Sequence, residues 1–126
     1  MKRIIYTNNA PEPIGPYSQA VQAGNMLFVS GQVAIDPANN EVISGTVSEE
    51  AIQVMKNIDV LLTQAGYAFT DIVKTTIFLT DMKDFTAVNE VYGSFFEGGF
   101  PARETVAVSG LPKNVNVEIS LTAYKA

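Results

Sequence analysis

The chain has 126 residues, 47% of them hydrophobic, with eight Lys or Arg, thirteen Asp or Glu, and neither histidine nor cysteine. That length suits one domain with a real core, and the missing residues exclude disulfides, cysteine-type zinc sites and nucleophile pairs of the Ser-His or Cys-His kind. A net charge of −5, with no basic cluster longer than Lys2-Arg3, counts against nucleic acid, whose binding rests on concentrated positive charge.

The first residues, MKRIIYTNNAPEP, contain only a brief apolar patch, too short for a signal-peptide core, and a short strand over residues 3 to 6 is possible there. No later stretch is long and apolar enough to span a bilayer, so the expected location is the cytoplasm. Residues 17 to 22 and 26 to 33 are rich in β-branched and aromatic side chains. With Gly24-Asn25 between them they predict a hairpin. Asp36 to Asn40 is polar and reads as a loop.

Thr46-Val47-Ser48-Glu49 fits a capping box, after which Ala51, Val54, Met55, Ile58, Leu61, Leu62 and Ala65 recur at helical spacing. Gly66 stands where a left-handed C-cap is wanted. Residues 72 to 79 read as a strand. A second helix then opens at Asp81 or Asp84, carries Phe85, Val88, Val91, Tyr92, Phe95 and Phe96 on one face, and ends at Gly98-Gly99. Strands over 103 to 108 and 115 to 123 complete the chain, the last alternating apolar and polar residues strictly. The order ββ-α-β-α-ββ predicts an α+β domain, a mixed sheet with both helices on one face. The opposite face would carry hairpin residues such as Leu27 and Val29, or Met26 and Phe28. These are too apolar for free exposure, and other subunits are the simplest cover.

With neither histidine nor cysteine, any catalysis must draw on carboxylate, lysine, tyrosine, arginine, hydroxyl or backbone groups, and metal binding would need carboxylates alone. Arg103, at the start of a strand after Phe100-Pro101, can hold a carboxylate by two parallel hydrogen bonds, or can pair with a neighbouring acid as an ordinary edge arginine. Glu118 sits in mid-strand, where glutamate is disfavoured. It is either a partly buried general base or a solvated or subunit-paired carboxylate. Tyr17, after Gly15-Pro16, can line a pocket or be a half-buried strand residue. Ser30-Gly31-Gln32 interrupts an apolar strand, which marks either a close approach or a plain bulge.

Taken together, IGPYSQA (14 to 20), SGQ (30 to 32), DIVKTTIFLTDMKDF (71 to 85), FPAR (100 to 103) and LPKNVNVEI (111 to 119) resemble the reactive intermediate deaminase family, also called RidA or YjgF and, on older labels, endoribonuclease L-PSP. The resemblance runs in order over essentially the whole chain. It implies a chorismate-mutase-like single domain and a homotrimer with a barrel-like core and clefts between subunits. It further implies cofactor-free hydrolysis of 2-aminoacrylate and other 2-imino acids to 2-keto acids and ammonia, a 2-iminobutanoate/2-iminopropanoate deaminase activity. Carried over residue by residue, Arg103 would bind the substrate carboxylate and Glu118 would orient the water. Tyr17, Ser30, Gly31 and Asn89 would line the cleft. Thr105 stands where many relatives have cysteine, so it can offer only a hydroxyl, and Glu97-Gly98-Gly99 is shorter than the corresponding segment in some relatives. Two other functions compete with this one: a non-catalytic trimeric binder of 2-keto acids or amino acids that uses the same cleft, and a holdase-like interaction protein whose client binding would persist without Arg103 and Glu118. Nucleic acid and membrane are not expected partners.

Overall fold

A computed structural model describes residues 1–126. Eight strands and two helices follow in chain order: β1 (Lys2–Ile5), β2 (Ala20–Ala23), β3 (Met26–Gln32), β4 (Ile35–Asp36), β5 (Glu41–Val42), α1 (Val47–Ala65), β6 (Ile72–Leu79), α2 (Phe85–Ser94), β7 (Ala102–Ala107) and β8 (Val117–Tyr124). Six strands form one sheet in the order β1-β2-β3-β8-β6-β7. All neighbours are antiparallel except β6 and β7, which α2 joins as a parallel crossover. β4 and β5 make a separate two-stranded ribbon around the polar loop at 36 to 40.

The helices lie on one face of the sheet because that is where the alternating strands point their apolar residues. Val117, Ile119, Leu121 and Ala123 of β8 are all buried, as are Leu27 and Val29 of β3 and Ile77 and Leu79 of β6. The α1 stripe of Val54, Met55, Ile58, Leu61 and Leu62 closes over them into one core. This settles which hairpin residues face outward: Phe28 is exposed on the bare side of the sheet, and Leu27 and Val29 are not.

Both caps of α1 form as the sequence predicts. Thr46 Oγ1 accepts from the Glu49 amide, the Glu49 carboxylate accepts from the Thr46 amide, and Gly66 ends the helix at φ 83°. Several boundaries shift by a residue, and others differ by more. The first hairpin strand begins at Ala20, because residues 7 to 19 instead form a loop tied together by the buried Gln19 side chain. Of the two expected caps, Asp81 caps a short 3-10 turn, Met82–Asp84, while Asp84 holds the N-cap position of the helix without a side-chain hydrogen bond. The second helix stops at Ser94, four residues before the predicted glycine pair, whose positive φ angles shape the following loop. The last strand starts at Val117, since Pro112–Asn114 form another 3-10 turn.

Candidate active site

β7 is an edge strand, and Arg103 enters it opposite Thr75 of β6. Cross-strand partners project to the same face. Thr75 is buried beneath α2, where its hydroxyl shares a 2.8 Å hydrogen bond with the Tyr92 hydroxyl. Arg103 therefore lies on the helix side. Its guanidinium donates to Asn89 Oδ1 at 2.7 Å and rests over the rings of Tyr92 and Phe85, at 5.2 and 5.7 Å from their centroids. No carboxylate pairs with it: the ion pairs of the chain are Lys74 with Glu104 and Lys83 with Asp81. The edge-arginine alternative thus loses its partner, and an exposed, oriented fork is left for an anion. Phe85, Asn89 and Tyr92 share one stripe of α2, so a polar Asn89 within an apolar stripe was the sequence signal for the two rings, which spacing alone reads as core.

A recess of about 330 Å³ opens beside the guanidinium, lined by Asn89, Tyr92, Gly93, Phe100, Pro101 and Arg103. Burial raises the Tyr92 hydroxyl above its usual range against the opposing pull of Thr75 and Arg103, so it stays neutral. Thr105, two residues along β7 and opposite buried Ile77, is on the same face. Its Oγ1 is buried without a partner, which leaves a hydroxyl free toward this side of the strand.

Glu118 is elsewhere. It stands between buried Val117 and Ile119 on β8, so it projects from the opposite, helix-free face. The strand order puts β6 between it and Arg103. A second recess of about 300 Å³ surrounds it, lined by Ile14, Tyr17, Ser30, Gly31, Pro112 and Glu118. Its carboxylate makes no hydrogen bond or ion pair within the chain, and burial alone pushes its pKa up. The bulge reading of Ser30-Gly31-Gln32 holds, and what approaches Gly31 within the chain is a side chain rather than another backbone. The β3–β8 register slips between Val29 and Gln32, and a Cβ on Gly31 would stand 2.3 Å from Glu118 Oε2. Ser30 Oγ donates to the Ser18 carbonyl at 2.6 Å and thereby fixes the segment bearing Tyr17, whose hydroxyl accepts from the Ile14 amide.

The seven candidate residues therefore fall into two groups. Arg103, Asn89 and Thr105 form one; Glu118, Tyr17, Ser30 and Gly31 form the other, on the reverse face of the same sheet. Sequence reasoning missed Tyr92, Phe100 and Pro112 as walls of these recesses, and Phe85 as a ring beneath Arg103. A larger hollow of about 800 Å³ near Phe69, Phe95 and Phe96 has only Asp59 and Glu97 as titratable lining groups, and so offers no cation to an anionic substrate. No helix is long and apolar enough to cross a membrane.

A six-stranded sheet with a parallel edge strand, two helices covering one face, and a recess beside an arginine on one face and around a glutamate on the other describe a small α+β protein. The chain belongs to the endoribonuclease L-PSP family, the RidA proteins, whose family model matches residues 7–125. A RutC family protein of Pyrococcus horikoshii is 50% identical over 99% of each chain. The human 2-iminobutanoate/2-iminopropanoate deaminase is 46% identical, covering 99% of this chain and 91% of that protein. The crystal structure of E. coli TdcF with bound serine superposes with a TM-score of 0.94 at 40% identity, covering 98% of this chain and 99% of that one.

Proposed function

We propose that this protein hydrolyses 2-imino acids, and the enamines that tautomerise to them, into 2-keto acids and ammonia, and that it does so as a homotrimer in the cytoplasm. The observation that carries the reading is the division of the candidate residues between two faces of one sheet. Arg103 has no carboxylate partner, Glu118 has no hydrogen-bond or ion-pair partner, and the two project from opposite faces, so neither half can complete the other within one chain. A neighbouring protomer supplies what is missing, consistent with apolar Ile4, Phe28 and Val106 on the bare sheet face.

In this reading Arg103, held by Asn89 and the rings beneath it, binds the substrate carboxylate, and Thr105 Oγ1 hydrogen-bonds beside it. Across the interface Glu118 accepts a proton from water as the oxygen attacks the imine carbon. With the imine nitrogen protonated at the outset, attack gives a neutral carbinolamine; Glu118 then passes its proton to that nitrogen and takes the hydroxyl proton as the C–N bond breaks, so the 2-keto acid and ammonia leave and the remaining proton goes to solvent. Tyr17, Ser30 and Gly31 form the wall of that half. No covalent nucleophile or cofactor is required, because the imine carbon is already electrophilic. Positioned acid–base assistance supplies a factor of about 10² to 10⁴.

The names of the relatives support the activity: the human protein is a 2-iminobutanoate/2-iminopropanoate deaminase. The ribonuclease label fits this chain poorly, with a net charge of −5 and no histidine. A second reading, a non-catalytic binder of amino or keto acids, draws on the serine held by TdcF. One experiment separates them. 2-Aminoacrylate is generated enzymatically and pyruvate release is followed above the uncatalysed rate. The wild type is expected to accelerate release and Arg103→Ala to abolish the acceleration while retaining its oligomeric state. Calorimetric binding of serine without any acceleration would select the binder instead.

A further inference from the structure

Glu50 is a carboxylate in the first turns of α1, 4% exposed, far from either half-site in sequence, and with no cation beside it. Burying such a group is costly unless its oxygens are satisfied. Both are satisfied by one residue: Glu50 Oε1 accepts from the Asn116 amide at 2.9 Å, and Oε2 accepts from Asn116 Nδ2 at 2.5 Å. Asn116 in turn receives the Thr80 amide on its carbonyl at 3.2 Å and the Thr80 hydroxyl on Oδ1 at 3.4 Å. Three elements, α1, the end of β6 and the start of β8, thus meet at a single residue two positions before Glu118.

The turn that leads into Asn116 has reason to be held. Lys113 and Asn114 adopt consecutive left-handed conformations, φ 60° and 57°, a region asparagine tolerates but which costs lysine about 1–2 kcal/mol. The same turn presents Pro112 to the recess around Glu118. Without an anchor at Asn116 the strained turn would relax, and Pro112 would move with it.

We infer that Glu50 is a positioning residue: by clamping Asn116 it fixes the 112–116 turn and the start of β8, and so sets where the Glu118 carboxylate points and how dry its recess is. This rests on the proposal that Glu118 activates water. The titratable side chains facing Glu118 across its recesses are Tyr17 and Glu12, with no lysine or arginine among the lining residues. The clamp therefore acts on Glu118 through packing and exclusion of water.

The test compares Glu50→Ala, Glu50→Gln and Glu118→Gln for 2-imino acid hydrolysis across pH, with thermal melts to establish folding. In Glu50→Gln the new side chain can still accept from the Asn116 amide, and with the Asn116 side-chain amide turned over it can donate to Oδ1 while Thr80 Oγ1 accepts. The expected result is that Glu50→Ala lowers kcat about tenfold or more with KM within about twofold. Its acid limb should move to lower pH as water reaches Glu118, while Glu50→Gln keeps both the rate and the limb. An acid limb that moves equally in Glu50→Gln would mean that charge, not position, links the two sites, and would overturn the inference. So would a folded Glu50→Ala with wild-type rate and limb, provided Glu118→Gln is inactive. An active Glu118→Gln overturns the water-activating role of Glu118 itself and the inference with it. Should Glu50→Ala not fold, Asn116→Ala, which keeps the backbone half of the clamp, is expected to show the same limb shift at smaller size, and its absence counts against the inference.

Discussion

At the scale of residues, the proposed chemistry turns on one carboxyl group whose surroundings disfavour its charge. Burial raises the Glu118 pKa above the usual 4.5. As a base it works only when ionised, so activity should fall as pH drops through that raised value. The stability consequence has the opposite sense. Between pH 4.5 and the raised pKa the folded chain holds a proton that the unfolded chain has released, so stability declines as pH rises across that window. Glu118→Gln should therefore abolish hydrolysis yet melt higher than wild type at pH 7, with the gap closing below pH 4; equal melting points at both pH values would contradict the burial argument. Gly31→Ala offers a second probe. Its added Cβ collides with the flexible end of Glu118 rather than with backbone, so the fold should survive while hydrolysis drops with Glu118 displaced. Residue chemistry singled out Arg103, Glu118, Tyr17, Ser30 and Gly31, the resemblance added Asn89 and Thr105, and composition told that any catalysis had to avoid histidine and cysteine. What spacing could not tell was that Tyr92 and Phe85, ordinary members of an apolar stripe, carry the guanidinium, because that depends on which residue of β7 passes under α2.

At the scale of elements, local chemistry decides the clearest pieces. The capping box at Thr46 and the left-handed Gly66 enclose a helix whose ends are specified by a few residues each. Thr46→Ala should cost about 1 kcal/mol, and Gly66→Ala about 1–2 kcal/mol. In a chain of this size each corresponds to a fall of about 3–8 °C in melting temperature, readable by calorimetry, with hydrolysis unaffected. These ends were legible because the bonds that make them lie within four residues. The start of the first hairpin was not, since Gln19 reaches back to Thr7 and Pro11 and spends the preceding residues on a loop. Glu50 escaped notice for the same reason: its partner, Asn116, is distant along the chain.

At the scale of the whole molecule, the α+β order, the one-sided helices and the need for cover on the bare face all follow from periodicity, while the strand order does not. Only with β8 placed between β3 and β6, and β7 parallel at the edge, do Arg103 and Glu118 emerge on opposite faces of one sheet. That separation makes the proposed site a property of the assembly, and it can be tested by complementation. Arg103→Ala and Glu118→Gln, each inactive alone, are co-expressed with different tags and the mixed oligomer is purified through both. In a trimer with one site per interface, every mixed assembly keeps one interface with both groups intact. Random assembly should then recover about one quarter of wild-type activity before selection, and about one third after it. Activity no greater than that of either variant alone would contradict a site shared between protomers.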